Sequence, residues 1–193
     1  PQYDPIYAAA SRHGLRIALH VSRSPAVHLL TPVGYASYFA EHQGAYPLGY
    51  IPHLISLLFE GTFEKFPDLK VVLVEGGFTW VPAMMWRLDR LWEQLKSEVP
   101  NLSRRPSEYL KDHVLFTTQP MDEPEDLADF EQVCEWIDLE RNLMFSTDYP
   151  HWDFDNPSFV LNRLPERLRS RVACENAIEL YGLPRTRPAS GVR

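Results

Sequence analysis

The chain has 193 residues, of which 45% are hydrophobic and 12% aromatic, which is enough apolar material for one globular domain with a sizeable core. Its 26 acidic residues outnumber its 19 basic ones, and a formal net charge of -7 disfavours a partner built on a phosphate backbone, so we expect no nucleic-acid partner. The sequence shows no membrane-length apolar run and no secretory or lipidation signal, so we expect a cytoplasmic protein without a membrane partner.

Helical patterns alternate along the chain with short, almost continuous apolar runs, each typical of a strand buried on both faces. The strands are predicted over 15–21, 69–77, 113–119 and 143–148. The helices are predicted over 4–14, 50–67, 81–98 and 124–138, with two more in 157–183 that break near Pro165. This alternation indicates right-handed βαβ units, and hence an α/β fold with a parallel sheet. Residues 22–49 are predicted to form a long irregular loop with a functional or covering role, and 184–193 a frayed tail.

The two cysteines, Cys134 and Cys174, lie far apart in the sequence and in no metal or redox spacing. We therefore expect both to be reduced and not bonded to each other, as in an intracellular protein.

Each predicted strand ends in a polar residue at its carboxyl end. The first ends in His20, the second in Glu75, the third in 117–119 (Thr-Thr-Gln) and the fourth in Asp148. Because the carboxyl ends of parallel strands share one edge of the sheet, these side chains are predicted to meet at a common rim. An imidazole nitrogen with carboxylate oxygens suits a divalent transition metal, and an aspartate beside such a metal can take a proton from bound water.

Each of these residues also has a structural explanation. His20 alone would more often be a hydrogen-bonded structural residue, and Asp148 could cap a following helix. Glu75 could belong to a solvated tight turn, while His151 and Trp152 could form a packed loop. The repetition of polar residues at the same end of consecutive strands favours a site over these alternatives.

Three segments resemble the amidohydrolase-related family: "STDYPHWD" over 146–153, "VVLVEGGFTWVP" over 71–82 and "IALHV" over 17–21. "RLDRLW" over 87–92 follows the second segment as it does in that family, and the resemblance runs from Asp4 to about Leu183. The family contains metal-dependent hydrolases and the aminocarboxymuconate semialdehyde decarboxylase group. The resemblance implies a (β/α)8 TIM barrel with a metal centre at the carboxyl rim of its strands.

The resemblance assigns roles to individual residues. His20 resembles the metal-binding histidine after the fifth barrel strand, and Asp148 the aspartate after the eighth, which binds the metal and handles protons. Glu75 stands where decarboxylase members carry a catalytic histidine, and this departure weighs against a decarboxylase. His151 and Trp152 match the family's loop after the aspartate, where they are expected to support the site.

The His-x-His pair of the family's first strand is absent from the sequence. The visible strands would be strands 5–8, so residues 1–183 are predicted to form the C-terminal half of the barrel. Four parallel strands cannot close a barrel, and the chain opens on Pro1, so we expect the N-terminal half of the same barrel as a partner. We also expect a homo-oligomer.

The function expected first is that of a metal-dependent hydrolase acting on a small, carboxylate-bearing or cyclic substrate. In this interpretation His20 and Asp148 hold one divalent ion, zinc before manganese, and Asp148 accepts the proton of the attacking water. Glu75 orients or protonates the substrate, and Arg23 contacts it. The first alternative is a metal-dependent, non-oxidative decarboxylase of an aromatic or enoic acid. The second is an inactive half-barrel that serves as a binding or structural module.

Overall fold

Four parallel strands form one sheet in the computed structural model, which describes residues 2–21 and 36–185. They are β1 (Ile17–His20), β2 (Val71–Val74), β3 (Val114–Thr117) and β4 (Leu143–Met144), adjacent in that order. All four predicted strands are confirmed, although each is shorter than its apolar run. β4 ends after two residues because the backbone N–H of Ser146 donates to the Thr118 hydroxyl, at 3.0 Å, and leaves the strand ladder.

One helix precedes the first strand, and the others connect the strands and follow the last of them. They are α1 (Asp4–Arg12), α2 (Phe39–Gly44), α3 (Tyr46–Phe59), α4 (Thr62–Lys65), α5 (Val81–Gln94), α6 (Pro106–His113), α7 (Leu127–Trp136), α8 (Leu139–Asn142), α9 (Pro157–Arg163), α10 (Glu166–Ser170) and α11 (Asn176–Tyr181). A π-helical segment, Arg171–Glu175, joins α10 to α11. The break near Pro165 is confirmed. The sequence analysis did not predict α2, α6 or α8, and the predicted 22–49 loop contains α2 and the start of α3; its residues 22–35 lie outside the described part.

The two faces of the sheet pack against different partners. One face contributes Leu73 and Phe116 to the main core, which includes helix residues such as Leu58 and Phe130. The other face carries a small cluster of Val72, Leu115 and Met144, which packs against Ala177 and Leu180 from α11. Because successive strand residues point to opposite faces, the apolar runs supply both layers at once.

The outer edge of β4 is occupied by the π-helical segment and the start of α11. The backbone groups of Met144 point towards β3, because its carbonyl accepts from the Thr118 N–H at 2.9 Å. The backbone groups of its neighbours, Leu143 and Phe145, therefore point away from β3, to the outer edge. There the Phe145 N–H donates to the Val172 carbonyl at 2.9 Å, and the Asn176 side-chain amide donates to the Leu143 carbonyl at 2.7 Å. At the opposite side of the sheet, no described strand pairs with the outer edge of β1.

Both cysteines are free, as the sequence predicts: Cys134 is buried and Cys174 is exposed. Burial raises the pKa of the Cys134 thiol to about 12, so this side chain is an unreactive core residue. None of the helices in the described part combines the length and apolarity that crossing a bilayer requires. Most of the predicted tail, 186–193, lies outside the described residues.

Candidate active site

The carboxyl ends of the strands bring the predicted rim residues together. His20 is the last residue of β1, Glu75 directly follows β2, and Asp148 lies four residues beyond β4. The Glu75 N–H donates to the Thr117 hydroxyl at 3.2 Å, which fixes the glutamate to the end of β3. Glu75 and Asp148 both have left-handed backbones, with φ of 62° and 57°. Such a backbone costs a non-glycine residue free energy, so both carboxylates are held in strained conformations, as is Asp138 away from the site.

Glu75 lies between His20 and Asp148 and interacts with both. Its Oε1 is 2.9 Å from His20 Nε2, and its carboxyl is a hydrogen-bonding neighbour of Asp148. The side chains of Glu75 and Asp148 are each 15% exposed, so the alternative of a solvated turn residue at position 75 is wrong. Burial of the carboxyl raises the pKa of Glu75, His20 opposes this change, and the charge of Asp148 adds to it.

The hydrogen bonds of His20 determine which ring nitrogen is available. Nδ1 lies 2.7 Å from the Val21 carbonyl, which can only accept, so Nδ1 carries a proton. A neutral ring then presents the Nε2 lone pair to Glu75, and this contact needs one proton shared between the two side chains. An imidazole whose Nδ1 is held by a backbone carbonyl and whose Nε2 is directed into a site is the arrangement typical of a metal ligand.

A second group of potential ligands surrounds Asp148. Asp148, His151 and Asp153 each offer one potential ligand atom, and these three atoms lie within 4.8 Å of one another. Among the described residues no other group of three potential ligands lies this close together. His151 Nδ1 is 2.6 Å from Asp148 Oδ2. Since His20 is outside this group, the structure links it to Asp148 through Glu75. Asp153 was missed because its part in the site depends on the path of the loop after β4.

Asp148 does not cap a helix, so that alternative is wrong. The next helix, α9, begins nine residues later at Pro157, where the Asn156 side chain accepts from the backbone N–H groups of Ser158 and Phe159. Asp148 is instead free to interact through its side chain with Glu75 and His151.

A cavity of about 420 Å³ opens beside Glu75. Tyr46 and Trp152 contribute aromatic rings to its lining, and Gln119 contributes an amide. Trp152 is 71% exposed and packs edge-on against Phe39 with ring centres 5.6 Å apart, so it borders the cavity and is not buried behind Glu75 and Asp148. The predicted contact residue Arg23 lies outside the described residues.

The glycines after Glu75 permit close packing beneath the site. Gly77 has φ of 59°, and a Cβ there would collide with the carboxylate of Asp122. A Cβ at Gly76 would lie 2.6 Å from the ring of Tyr50, whose hydroxyl donates to the Val74 carbonyl. Both positions therefore need glycine.

The sequence model of one protein family, described as amidohydrolase, matches residues 1–183. Among curated relatives, the chain is 27% identical over 195 residues to the gamma-resorcylate decarboxylase of Rhodococcus jostii (strain RHA1). That alignment covers 96% of this chain and 55% of the relative, so the chain spans about half the length of the curated relatives that it matches.

Solved structures with the same fold include several decarboxylases. The 5-carboxyvanillate decarboxylase LigW of Sphingomonas paucimobilis superposes with a TM-score of 0.73 at 23% identity, covering 95% of this chain and 54% of that one. A dihydroxybenzoic acid decarboxylase of Polaromonas sp. JS666, solved with manganese and the inhibitor 2-nitroresorcinol, gives a TM-score of 0.68 at 21% identity, covering 96% and 55%. At these identities the likeness concerns the fold, and it shows that the chain corresponds to about half of an amidohydrolase-type TIM barrel.

Proposed function

The chain belongs to the amidohydrolase family, and from this we propose that it supplies half of the active site of a metal-dependent decarboxylase acting on a hydroxylated aromatic carboxylic acid. The observation that carries the proposal is the protonatable carboxyl of Glu75, held between His20 and Asp148 at the wall of an aromatic-lined cavity. The relative from Rhodococcus jostii, a gamma-resorcylate decarboxylase, favours decarboxylation over the hydrolysis that the sequence analysis placed first.

The donor set at the rim fits a divalent cation. His20 offers the Nε2 lone pair and Asp148 a carboxylate oxygen. We propose that His20 and Asp148 hold the ion and that it is manganese, as in the Polaromonas structure, in place of the zinc expected first. When bound, such an ion supplies positive charge for the substrate's carboxylate.

The residues of the chain would bind the substrate ring and supply the proton. The aromatic faces of Tyr46 and Trp152 border a cavity large enough for a single substituted ring. Glu75 lines the same cavity, and its raised pKa favours the protonated form that an acid needs. As the bond from the ring to the carboxyl group breaks, CO2 leaves and the electron pair of that bond stays on the ring carbon. The same ring carbon then takes the proton of Glu75. Asp148 assists by raising the proton affinity of Glu75.

The complete protein is expected to release CO2 from 2,6-dihydroxybenzoate in the presence of manganese, with one resorcinol formed for each CO2. Product analysis by chromatography together with trapped CO2 checks this result. Hydrolysis of small esters or lactones without any CO2 would favour the hydrolase alternative. A protein that binds no metal and turns over neither class would be the inactive half-barrel.

The metal assignment predicts different effects of two histidine substitutions. His20→Ala removes a proposed ligand and is expected to reduce bound manganese to less than about a tenth. Even the loss of a group that only supports a metal ligand typically lowers metal affinity roughly 10- to 100-fold. His151→Ala is the matched control, because His151 is 66% exposed and its Nδ1 is already engaged by Asp148. Elemental analysis of the purified complete proteins measures both. Loss of the metal from the His151 variant alone would assign the ion to Asp148, His151 and Asp153.

We extend the proposal to the rest of the barrel, to the oligomeric state and to the cellular compartment. We propose that residues 1–183 are the C-terminal half and that an N-terminal half adds its strands beside β1, whose outer edge has no described strand partner. A cytoplasmic homo-oligomer remains the expected form of the complete protein.

A further inference from the structure

Tyr50 lies in α3 and contacts the residues on both sides of Glu75. Its side chain is 3% exposed, and its hydroxyl donates to the Val74 carbonyl. Burial and then the charge of Glu75 raise the pKa of this hydroxyl, so it keeps the proton that it donates. The ring packs against Gly76, where a Cβ would lie 2.6 Å from it. Tyr50 is therefore built into the turn that carries Glu75.

The Tyr50 hydroxyl occupies the place of a hydrogen bond between β1 and β2. The two strands pair in register, and the Ile17 N–H donates to the Lys70 carbonyl at 3.0 Å. Bonds between parallel strands recur at every second residue, so the ladder should continue with a bond from the Val21 N–H to the Val74 carbonyl. The described part of the chain lacks that bond. The carbonyl accepts from Tyr50 instead, and the Val21 backbone interacts with the same hydroxyl.

This hydroxyl also fixes the peptide group that leads into Glu75. The Val74 carbonyl and the Glu75 N–H belong to one peptide group. Tyr50 holds that group on the side of β1, and the Thr117 hydroxyl holds it on the side of β3, at 3.2 Å. Rotation of the group would change the φ of Glu75, which is 62°. A non-glycine residue keeps such a backbone only where its surroundings hold it, so both hydroxyls maintain the orientation of the glutamate.

The contact with Val21 links Tyr50 to His20 as well. Val21 directly follows His20, and its carbonyl lies 2.7 Å from His20 Nδ1. Because the Tyr50 hydroxyl lies between the backbones of Val21 and Val74, it sets the separation between the ends of β1 and β2. His20 and Glu75 extend from these two ends, and their side chains meet at 2.9 Å.

We propose that Tyr50 is a positioning residue, whose hydroxyl, inserted between β1 and β2, holds the Glu75 carboxyl at its distance from His20 and in its orientation towards the substrate. Tyr50 is not among the described residues that line the cavity, so it acts through Glu75 and His20. The effect on catalysis rests on the proposed function, whereas the spacing of the strand ends rests on the hydrogen bonds of Tyr50.

Tyr50→Phe in the complete, manganese-loaded protein removes the hydroxyl and keeps the ring. Turnover per bound metal ion is expected to fall roughly 10- to 100-fold, because a small displacement of a reacting group has an effect of this size. KM should change by less than about threefold, since the cavity wall is intact. Steady-state kinetics at saturating manganese, together with metal analysis, measure both quantities. Turnover within about twofold of the wild type overturns the proposal.

Tyr109→Phe is the matched control. Tyr109 is 2% exposed, and its hydroxyl donates to Glu64, away from the cavity beside Glu75. Both variants lose a hydrogen-bonded hydroxyl from the core, so both should lower the melting temperature. Tyr109→Phe should nevertheless keep turnover within about twofold, because it leaves the strand ends unchanged. Equal losses of turnover in the two variants would indicate a general effect of the core and would overturn the positioning role.

Crystal structures of the complete wild-type protein and of Tyr50→Phe test the geometry without turnover. The distance from His20 Nε2 to the Glu75 carboxyl should differ between them by more than about 0.5 Å, the tolerance of a preorganised site. A wild-type structure in which the Val21 N–H bonds directly to the Val74 carbonyl overturns the proposal, whether or not the variant folds.

These measurements separate the positioning role from the proposed function. If the protein hydrolyses esters or lactones without releasing CO2, and Tyr50→Phe slows that hydrolysis and changes the distance, the decarboxylase assignment fails and the positioning role stands. If CO2 is released, and Tyr50→Phe alters neither its rate nor the distance, the positioning role fails and the decarboxylase assignment stands.

Discussion

Replacing Asp148 by asparagine is expected to lower turnover of the complete protein by at least roughly 10²–10⁴-fold, the range found when a group that handles protons is removed. Asparagine has nearly the same shape and tolerates the left-handed backbone at this position, where φ is 57°. The variant loses a charge that raises the pKa of Glu75, and it loses a proposed ligand of the ion. Steady-state kinetics of CO2 release, with metal content measured in parallel, check the expected result.

Asp138→Asn is a closely matched control for this experiment. Asp138 also has a left-handed backbone, with φ of 55°, but it precedes α8 and β4 and so lies at the opposite end of the strand. Its carboxylate is 2.9 Å from Arg141, on a protein surface far from the proposed chemistry. We expect this variant to keep turnover within about twofold, as surface substitutions of this kind have small effects. Equal losses in both variants would assign the effect to the backbone and not to the site.

Replacing Glu75 by glutamine is expected to reduce turnover by roughly 10²–10⁴-fold, because the amide has no proton to give. The shape of the side chain and the N–H bond to the Thr117 hydroxyl are retained, so the fold should be unaffected. Glu75→His is the companion variant. If Glu75 is the acid of a decarboxylase, an imidazole that can carry a proton should retain far more CO2 release than glutamine does.

Glu64→Gln controls for the loss of a hydrogen-bonded carboxylate in general. Glu64 lies before β2, where it accepts from the Ser103 backbone N–H at 3.0 Å and from the Tyr109 hydroxyl, away from the cavity beside Glu75. Its substitution should affect stability more than turnover. Unchanged turnover in both Glu75 variants would remove Glu75 from the mechanism and leave Asp148 as the proton-handling group of this half.

The strands and the rim could be predicted because both follow from the pattern of apolar runs along the chain. The apolar runs before His20 and Glu75 are continuous over both faces, and this pattern specifies a buried parallel strand. The contact between these two side chains then follows from the shared edge of the sheet. The same reasoning placed hydrolysis first because it treated Glu75 as a departure from the histidine of known decarboxylases, whereas the curated relatives that match the chain are decarboxylases. It could not anticipate that burial and the charge of Asp148 would raise the pKa of this carboxyl.

Other parts of the site depend on non-local geometry that no sequence pattern contains. The grouping of Asp153 with Asp148 depends on the path of the loop after β4. The helix α6 is a different case. Its sequence carries a recognisable start signal, Pro106 in the first turn followed by Glu108, whose carboxylate accepts from the Arg105 N–H at 2.9 Å. That signal was available but was not used.

The capped edge of β4 sets a limit on self-association. A parallel sheet with two bare edges can add molecules at both sides and grow into an open-ended fibre. Here the bonds from Phe145 to Val172 and from Asn176 to Leu143 occupy one side, so among the described strands only β1 offers an edge at which growth could begin. Two copies joined through their β1 edges would have no bare edge left, and edge-to-edge assembly would end at a pair. For the same reason, a barrel half adding at β1 would meet ready donors and acceptors, whereas closing the ring at β4 would first require these two hydrogen bonds to be exchanged.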